Sequence, residues 1–207
     1  GTTTDPLTYT TQGTYTITWT FNDGNGNEST ATQTVVVDDV TAPVTPEVIA
    51  TATGECSVTV TAPTTTDNCV GTITGTTTHP LTYTTQGTYT ITWTFNDGNG
   101  NESTATQTVV VDDVTAPVTP EVIATASGEC SVTVTAPTTT DNCAGTITGT
   151  TTDPLTYATQ GTYIITWTFN DGNGNSTTQT QRVIVDDITA PVPAIAELPV
   201  LTGGCFV

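Results

Sequence analysis

The chain has no lysine and no methionine, and its 207 residues include one arginine, Arg182, and one histidine, His79. Against twenty aspartates and glutamates this leaves a formal charge of −19. Nucleic acid is excluded as a partner, because phosphate binding is built on clustered Lys and Arg, and an anionic membrane surface is disfavoured on the same ground. No apolar run approaches the roughly 18 residues that read as a membrane-spanning helix. No segment shows the 3.6-residue periodicity of an amphipathic helix. With no recurrent histidine, no lysine, and no serine or cysteine beside a plausible base, the chemistry of an enzyme is not expected. Charged residues make up only 10% of the chain. Solubility therefore rests on hydroxyls, and threonine fills 60 positions.

What is present is a repeat. The stretch Gly87-Thr-Tyr-Thr-Ile-Thr-Trp-Thr-Phe-Asn-Asp-Gly-Asn-Gly-Asn101 recurs, nearly unchanged, from Gly13 and from Gly161, a spacing of 74 residues. Counted from Thr41, one complete repeat is 41–114 and a second is 115–188; residues 1–40 match the back of a repeat, and 189–207 match the front of another. The expectation is a window from a longer tandem array, in which each unit is one packed module.

Within the repeat, Tyr89, Ile91, Trp93 and Phe95 alternate with threonines, the period-two pattern of a half-buried strand. Asn96 to Asn101 is turn chemistry, and a second strand ends in Val109-Val-Val111 and Asp112-Asp113. Upstream, strands are expected over 47–53, 56–61, 72–78 and 81–84, punctuated by Gly54, Pro63, Gly71 and Pro80. Gly87-x-Tyr89 resembles a tyrosine corner, and Trp19, Trp93 and Trp167 are expected in the core. About seven short strands in so small a unit predict an all-β fold, a tandem array of immunoglobulin-like Greek-key β-sandwiches.

Cysteines stand at 56, 69, 130, 143 and 205. Two per repeat at fixed offsets, without a CxxC motif, read as disulfides in an oxidising compartment. The partners depend on where the chain reverses. If it turns at Ala62-Pro63, residues 64–69 run back beside 56–62 and the pairs are Cys56–Cys69 and Cys130–Cys143. If it continues to Cys69, the two cysteines lie too far apart to bond, and Cys56 reaches Cys143 of the next repeat. Alternation of strand direction favours the first arrangement, which also places Asp67-Asn68 with Asp112-Asp113, and Asp141-Asn142 correspondingly.

The acidic exit of one unit, Asp38-Asp39, is expected to meet the next hairpin tip, Asp97, Asn99 and Asn101; Asp112 and Asp113 are expected to meet Asp171, Asn173 and Asn175. Hard oxygen donors at alternate positions, freed by glycines to converge, suit Ca²⁺. Calcium is therefore the expected cofactor at the junctions, with Asp67, Asn68, Asp141 and Asn142 as further candidate ligands.

Thr66-Asp-Asn-Cys69, Phe95-Asn-Asp-Gly-Asn-Gly-Asn101 and Val111-Asp-Asp-Val-Thr-Ala-Pro117 together resemble the hyalin-repeat (HYR-like) family of immunoglobulin-like modules. That resemblance covers the whole chain. It implies tandem modules in large secreted and cell-surface adhesins, including those of surface-attached bacteria of the Bacteroidetes type. Many members carry two further cysteines, near the start of the first strand and in the last strand; both are absent here, so a two-pair framework does not carry over. The expected role is a stalk or filament that extends a binding region from the cell, located extracellularly or at the cell surface. Its partners would be neighbouring repeats and, by lateral self-association, other copies of the chain. The competing expectation is a Thr-rich β surface that binds glycan or ice.

Overall fold

In the computed structural model, which describes residues 1–195 and 197–205, every regular element is a β-strand. The chain divides into two compact units, Gly1–Asp112 and Asp113–Val207. Of the expected further repeat at 189–207, Ala196, Phe206 and Val207 lie outside the described residues, and its described part carries no strand.

The first unit opens with the hairpin of β1 (Gly13–Asn22) and β2 (Glu28–Val37), paired from Gly13↔Val37 to Asn22↔Glu28. It continues with β3 (Ala52–Gly54), β4 (Val58–Thr59), β5 (Thr64–Asp67), β6 (Gly71–Thr74), β7 (Thr82–Tyr83), β8 (Gly87–Asn96) and β9 (Glu102–Val111). Strand β9 lies between β8, antiparallel, and β3, parallel; β4 pairs with β7 and β5 with β6, both antiparallel. The second unit repeats this order as β10 (Ala126–Gly128), β11 (Val132–Thr133), β12 (Thr138–Asp141), β13 (Gly145–Thr148), β14 (Thr156–Tyr157), β15 (Gly161–Asn170) and β16 (Ser176–Val185).

Each unit is a β-sandwich around one core. In the first, Ile91, Trp93 and Phe95 of β8 and Val109 and Val111 of β9 face Val58, Val60, Ile73 and Tyr83. The same set shifted by one repeat, from Val132 to Val185, makes the second core. The period-two reading of the hairpin is met: Ile91, Phe95 and Val109 are fully buried, and the threonines between Tyr89 and Phe95 lie on the other face.

Two upstream expectations are corrected. The strand expected over 47–53 is confined to Ala52–Gly54. Before it, the proline-bearing segment runs beside β5 and is held by the Val44 N–H, which donates to the Thr66 carbonyl at 3.0 Å. Nor does the chain reverse at Ala62-Pro63. Proline lacks a donor but keeps its acceptor, and the Pro63 carbonyl takes the Gly75 N–H at 2.8 Å, so the extended chain passes through into β5. The reversal comes at Asp67–Gly71. There the Asp67 Oδ1 accepts the backbone N–H groups of Cys69 (2.8 Å) and Val70 (3.0 Å), and Gly71 takes a φ of 85°, open to glycine at little cost.

The tyrosine corner is present in all three hairpins. The hydroxyls of Tyr15, Tyr89 and Tyr163 donate to the carbonyls of Thr11, Thr85 and Thr159 at 2.8, 2.8 and 2.9 Å. Trp93 and Trp167 are core residues, each donating its indole N–H to a buried glutamine, Gln107 at 3.1 Å and Gln181 at 3.0 Å. Trp19 is half-buried, because among the described residues β1 and β2 form a two-stranded sheet of their own.

One repeat leaves its hairpin edge less well covered. Asp5 Oδ2 accepts the Thr18 N–H at 2.7 Å, and Asp153 Oδ2 accepts the Thr166 N–H at 2.9 Å. The corresponding position in the middle repeat is His79, which offers no carboxylate to Thr92; there the Thr77 hydroxyl turns to the Thr92 carbonyl at 2.8 Å. Restoring the acceptor by His79→Asp is expected to raise stability by about 1 kcal/mol, the usual worth of a solvent-exposed hydrogen bond to a charged group. Chemical denaturation checks this, and an unchanged midpoint would count against a role for the edge carboxylate.

Candidate functional site

The hairpin tip is preorganised by its own carboxylate. Asp97 Oδ1 accepts the backbone N–H groups of Asn99 (2.7 Å) and Asn101 (3.1 Å), and its Oδ2 accepts the Asn101 side-chain amide at 2.6 Å. Gly98 and Gly100, with φ of 80° and 104°, permit the tight loop. Asp171 builds the same loop with Asn173 and Asn175, as does Asp23 with Asn25 and Asn27 in the first hairpin. Desolvation opposes ionisation of Asp97 and Asp171, but hydrogen bonds from the Asn101 and Asn175 side chains and from the loop N–H groups outweigh it and hold both below the ordinary carboxylate value. All three tips share the Asp-Gly-Asn-Gly-Asn sequence, so the loop forms whether or not anything is docked on it.

On this tip sits the exit of the preceding hairpin. The Asn99 side-chain amide donates to Asp39 Oδ2 at 3.3 Å, and that of Asn101 donates to the Asp39 carbonyl at 2.9 Å. Asp39 is buried, and its remaining groups are engaged: the N–H donates to Gln12 Oε1 at 2.9 Å, and Oδ1 accepts the Thr41 N–H at 3.1 Å. The second unit reproduces the clasp, with Asn173 donating to Asp113 Oδ2 at 2.9 Å and Asn175 to the Asp113 carbonyl at 2.8 Å. The expected meeting of exit and tip is therefore present twice.

Not every expected residue joins it. Asp38 and Asp112 are exposed, on the opposite parity from Asp39 and Asp113; the Asp112 N–H serves β3 through the Gly54 carbonyl at 3.0 Å. Asp67 joins from an unexpected side. It gathers with Asp39 and Cys69, their donor atoms within 4.8 Å of one another, and Asp113, Asp141 and Asp171 gather likewise. The placement of Asp67-Asn68 with Asp112-Asp113 is thus corrected, for the same reason as the turn: β5 runs on past Pro63 and delivers Asp67 to the tip. Asn68 and Asn142 direct their side-chain amides to the sulfurs of Cys69 and Cys143, at 3.1 and 3.3 Å. The Oδ2 atoms of Asp67 and Asp141 are buried and have no hydrogen-bond partner among the described residues.

The cysteine pairing is corrected as well. Cys56 and Cys143 are disulfide-bonded, whereas Cys69, Cys130 and Cys205 are free thiols. Neither Cys56–Cys69 nor Cys130–Cys143 forms. Passing straight through Pro63 puts Cys56 and Cys69 at the two ends of an extended stretch on the order of 30 Å long, far beyond the 7 Å or so that a disulfide can bridge between Cα atoms.

Sequence reasoning missed Cys69 as a neighbour of the acidic cluster, and Gln107 and Gln181 as partners of the core tryptophans. The inward parity of Asp39 and Asp113 was available: Val109, Val111 and Asp113 occupy alternate positions and all three are buried.

No family model matches the chain. A solved endo-fucoidan hydrolase of glycoside hydrolase family 107 aligns over 86% of this chain and 34% of its own, with 17% identity and a TM-score of 0.23, a likeness too slight to carry an argument. Two relatives are much more alike in sequence. Hyalin of Strongylocentrotus purpuratus is 33% identical over 198 residues, covering 86% of this chain and 16% of that protein. Hyalin of Lytechinus variegatus is 35% identical over 199 residues, covering 84% of this chain and 37% of that protein. The chain thus spans a small part of each relative's length, and over most of its own length it is a β-sandwich repeat protein similar to hyalin.

Proposed function

We propose that this chain is a structural repeat region of a secreted or cell-surface adhesive protein, in which the acidic exit of one hairpin is clasped by the tip of the next and successive repeats extend a binding region outward. The observation that carries this reading is the recurrence of the clasp: Asn101 on the Asp39 carbonyl and Asn175 on the Asp113 carbonyl, 74 residues apart and alike in every donor and acceptor. The similarity to hyalin and the oxidised cysteines support an extracellular setting. Cys56 and Cys143 are each disulfide-bonded, and non-reducing peptide mapping reads their partners directly.

Calcium completes this reading. Three carboxylates within 4.8 Å of one another at Asp113, Asp141 and Asp171, together with an Asp141 oxygen that is buried and unpartnered, form a donor set that a hard cation fits. The side-chain amides of Asn173 and Asn175 point their nitrogens at Asp113, so an ion would compete with them and draw their oxygens inward by an amide flip. Millimolar Ca²⁺ is expected to raise the thermal midpoint by on the order of 5 °C and EDTA to reverse the rise, as for a ligand that binds only the folded state. A midpoint and a hydrodynamic radius both indifferent to Ca²⁺ and EDTA would overturn the calcium reading.

A further inference from the structure

Cys69 stands among carboxylates as a free thiol. Asp39, Asp67 and Cys69 each bring a donor atom within 4.8 Å of the others, although the three come from the exit of one hairpin and the turn between β5 and β6. Asp67 is committed on one side only. Its Oδ1 holds the turn through the N–H groups of Cys69 and Val70, and its Oδ2 is buried without a partner. A buried carboxylate oxygen with no donor is costly, and a bound cation removes that cost. Asn68 supplies a donor to the sulfur at 3.1 Å, which would support a thiolate there.

A divalent ion held by these three side chains would displace the thiol proton to solvent.

We propose that Asp39, Asp67 and Cys69 form a thiol-gated site for a borderline divalent cation of the zinc class. Two carboxylates and a thiolate are the mixed oxygen and sulfur ligands that zinc and cadmium accept, whereas calcium takes oxygen alone. The gate is the oxidation state of the cysteine. One repeat further on, Cys143 is in a disulfide, and a disulfide sulfur has no thiolate to give. That position presents the oxygens of Asp113, Asp141 and Asp171. Opening it takes two electrons and two protons from an external dithiol, which is itself oxidised to a disulfide as the protein disulfide becomes two thiols. The proposal uses Asp39 and Asp67, whereas the calcium reading is argued from Asp113, Asp141 and Asp171, and it is independent of whether calcium binds.

The test is titration of the full, unreduced chain with Cd²⁺, read by the ultraviolet thiolate-to-cadmium charge-transfer band. The band is expected to appear, to be lost in Cys69→Ser and weakened in Asp67→Asn, and to persist in Cys130→Ser and Cys205→Ser. After reduction and removal of the reductant it is expected to grow to roughly twice its height as Cys143 becomes a ligand, and not to grow in Cys143→Ser. Absence of the band, its survival in Cys69→Ser, or no gain on reduction would overturn the proposal. A Ca²⁺-dependent thermal midpoint without a cadmium band defeats this proposal and leaves the calcium reading standing; a band without any calcium effect does the reverse.

Discussion

Trp93→Ala is expected to destabilise the first sandwich by about 3–5 kcal/mol, the range for emptying a core site of an aromatic. Trp93 is 1% exposed and lies between Ile91 and Phe95, both fully buried. Its indole N–H also donates to Gln107, whose own amide donates to the Ala50 carbonyl at 3.0 Å. The substitution therefore leaves a cavity and, within it, a buried carboxamide oxygen without a donor. Since folded domains are stable by only about 5–15 kcal/mol, such a loss takes a large share of the margin. Equilibrium denaturation measures it. The internal comparison is Trp19→Ala, which removes the same side chain from an identical strand sequence but from a half-buried setting, and should cost well under half as much. Equal costs would mean that the tryptophan acts through the hairpin and not through the sandwich.

That comparison also shows where sequence reading stops. Strands β1 and β8 are the same ten residues, Gly-Thr-Tyr-Thr-Ile-Thr-Trp-Thr-Phe-Asn, yet Phe95 is fully buried and Phe21 is 47% exposed. Alternation decides which side chains share a face, and that was legible. Whether the face is covered depends on a second sheet, and nothing within the ten residues reports that. The tyrosine corners were legible because the fixed offset from Gly87 to Tyr89 brings the hydroxyl back to the Thr85 carbonyl. The cysteine pairing was not. It turned on one reversal, and two local signals competed for it. Pro63 looks the stronger breaker, but a proline whose carbonyl still finds the Gly75 N–H lets the extended chain pass on into β5 without reversing. Asp67 and Gly71, four residues apart, make the actual turn with one carboxylate oxygen and one positive φ. From that single difference follow the free Cys69, the bonded Cys56 and the arrival of Asp67 beside Asp39.

At the junction, sequence brought the correct residue types together but assigned them too uniformly. The sequence presents Asp38 and Asp39 as a pair, whereas strand parity sends one to solvent and the other inward. The sequence pattern suggests Asn99 and Asn101 as oxygen ligands, whereas in the structure they serve Asp39 through their amide nitrogens. The sequence pattern shows convergence of polar groups. Which end of each carboxamide faces the carboxylate depends on the local hydrogen-bond balance, which only the three-dimensional arrangement settles.

Asn101→Ala is the second large effect. Its side-chain nitrogen bridges the Asp39 carbonyl at 2.9 Å and Asp97 Oδ2 at 2.6 Å. Losing both bonds, one of them to a buried carboxylate, is expected to cost about 2–3 kcal/mol. Asn27 holds the same place on the first hairpin, where its amide reaches Asp23 Oδ2 at 2.7 Å. The loop contribution is therefore common to both positions, and the difference between them isolates the clasp on Asp39. The most direct measurement is the stability of Asn101→Ala and Asn27→Ala side by side in one chain background. The clasp predicts a loss at Asn101 larger by at least about 1 kcal/mol, with faster amide exchange at Thr41, whose N–H the Asp39 carboxylate holds. Equal losses and unchanged exchange at Thr41 would contradict the claim that exit and tip are joined.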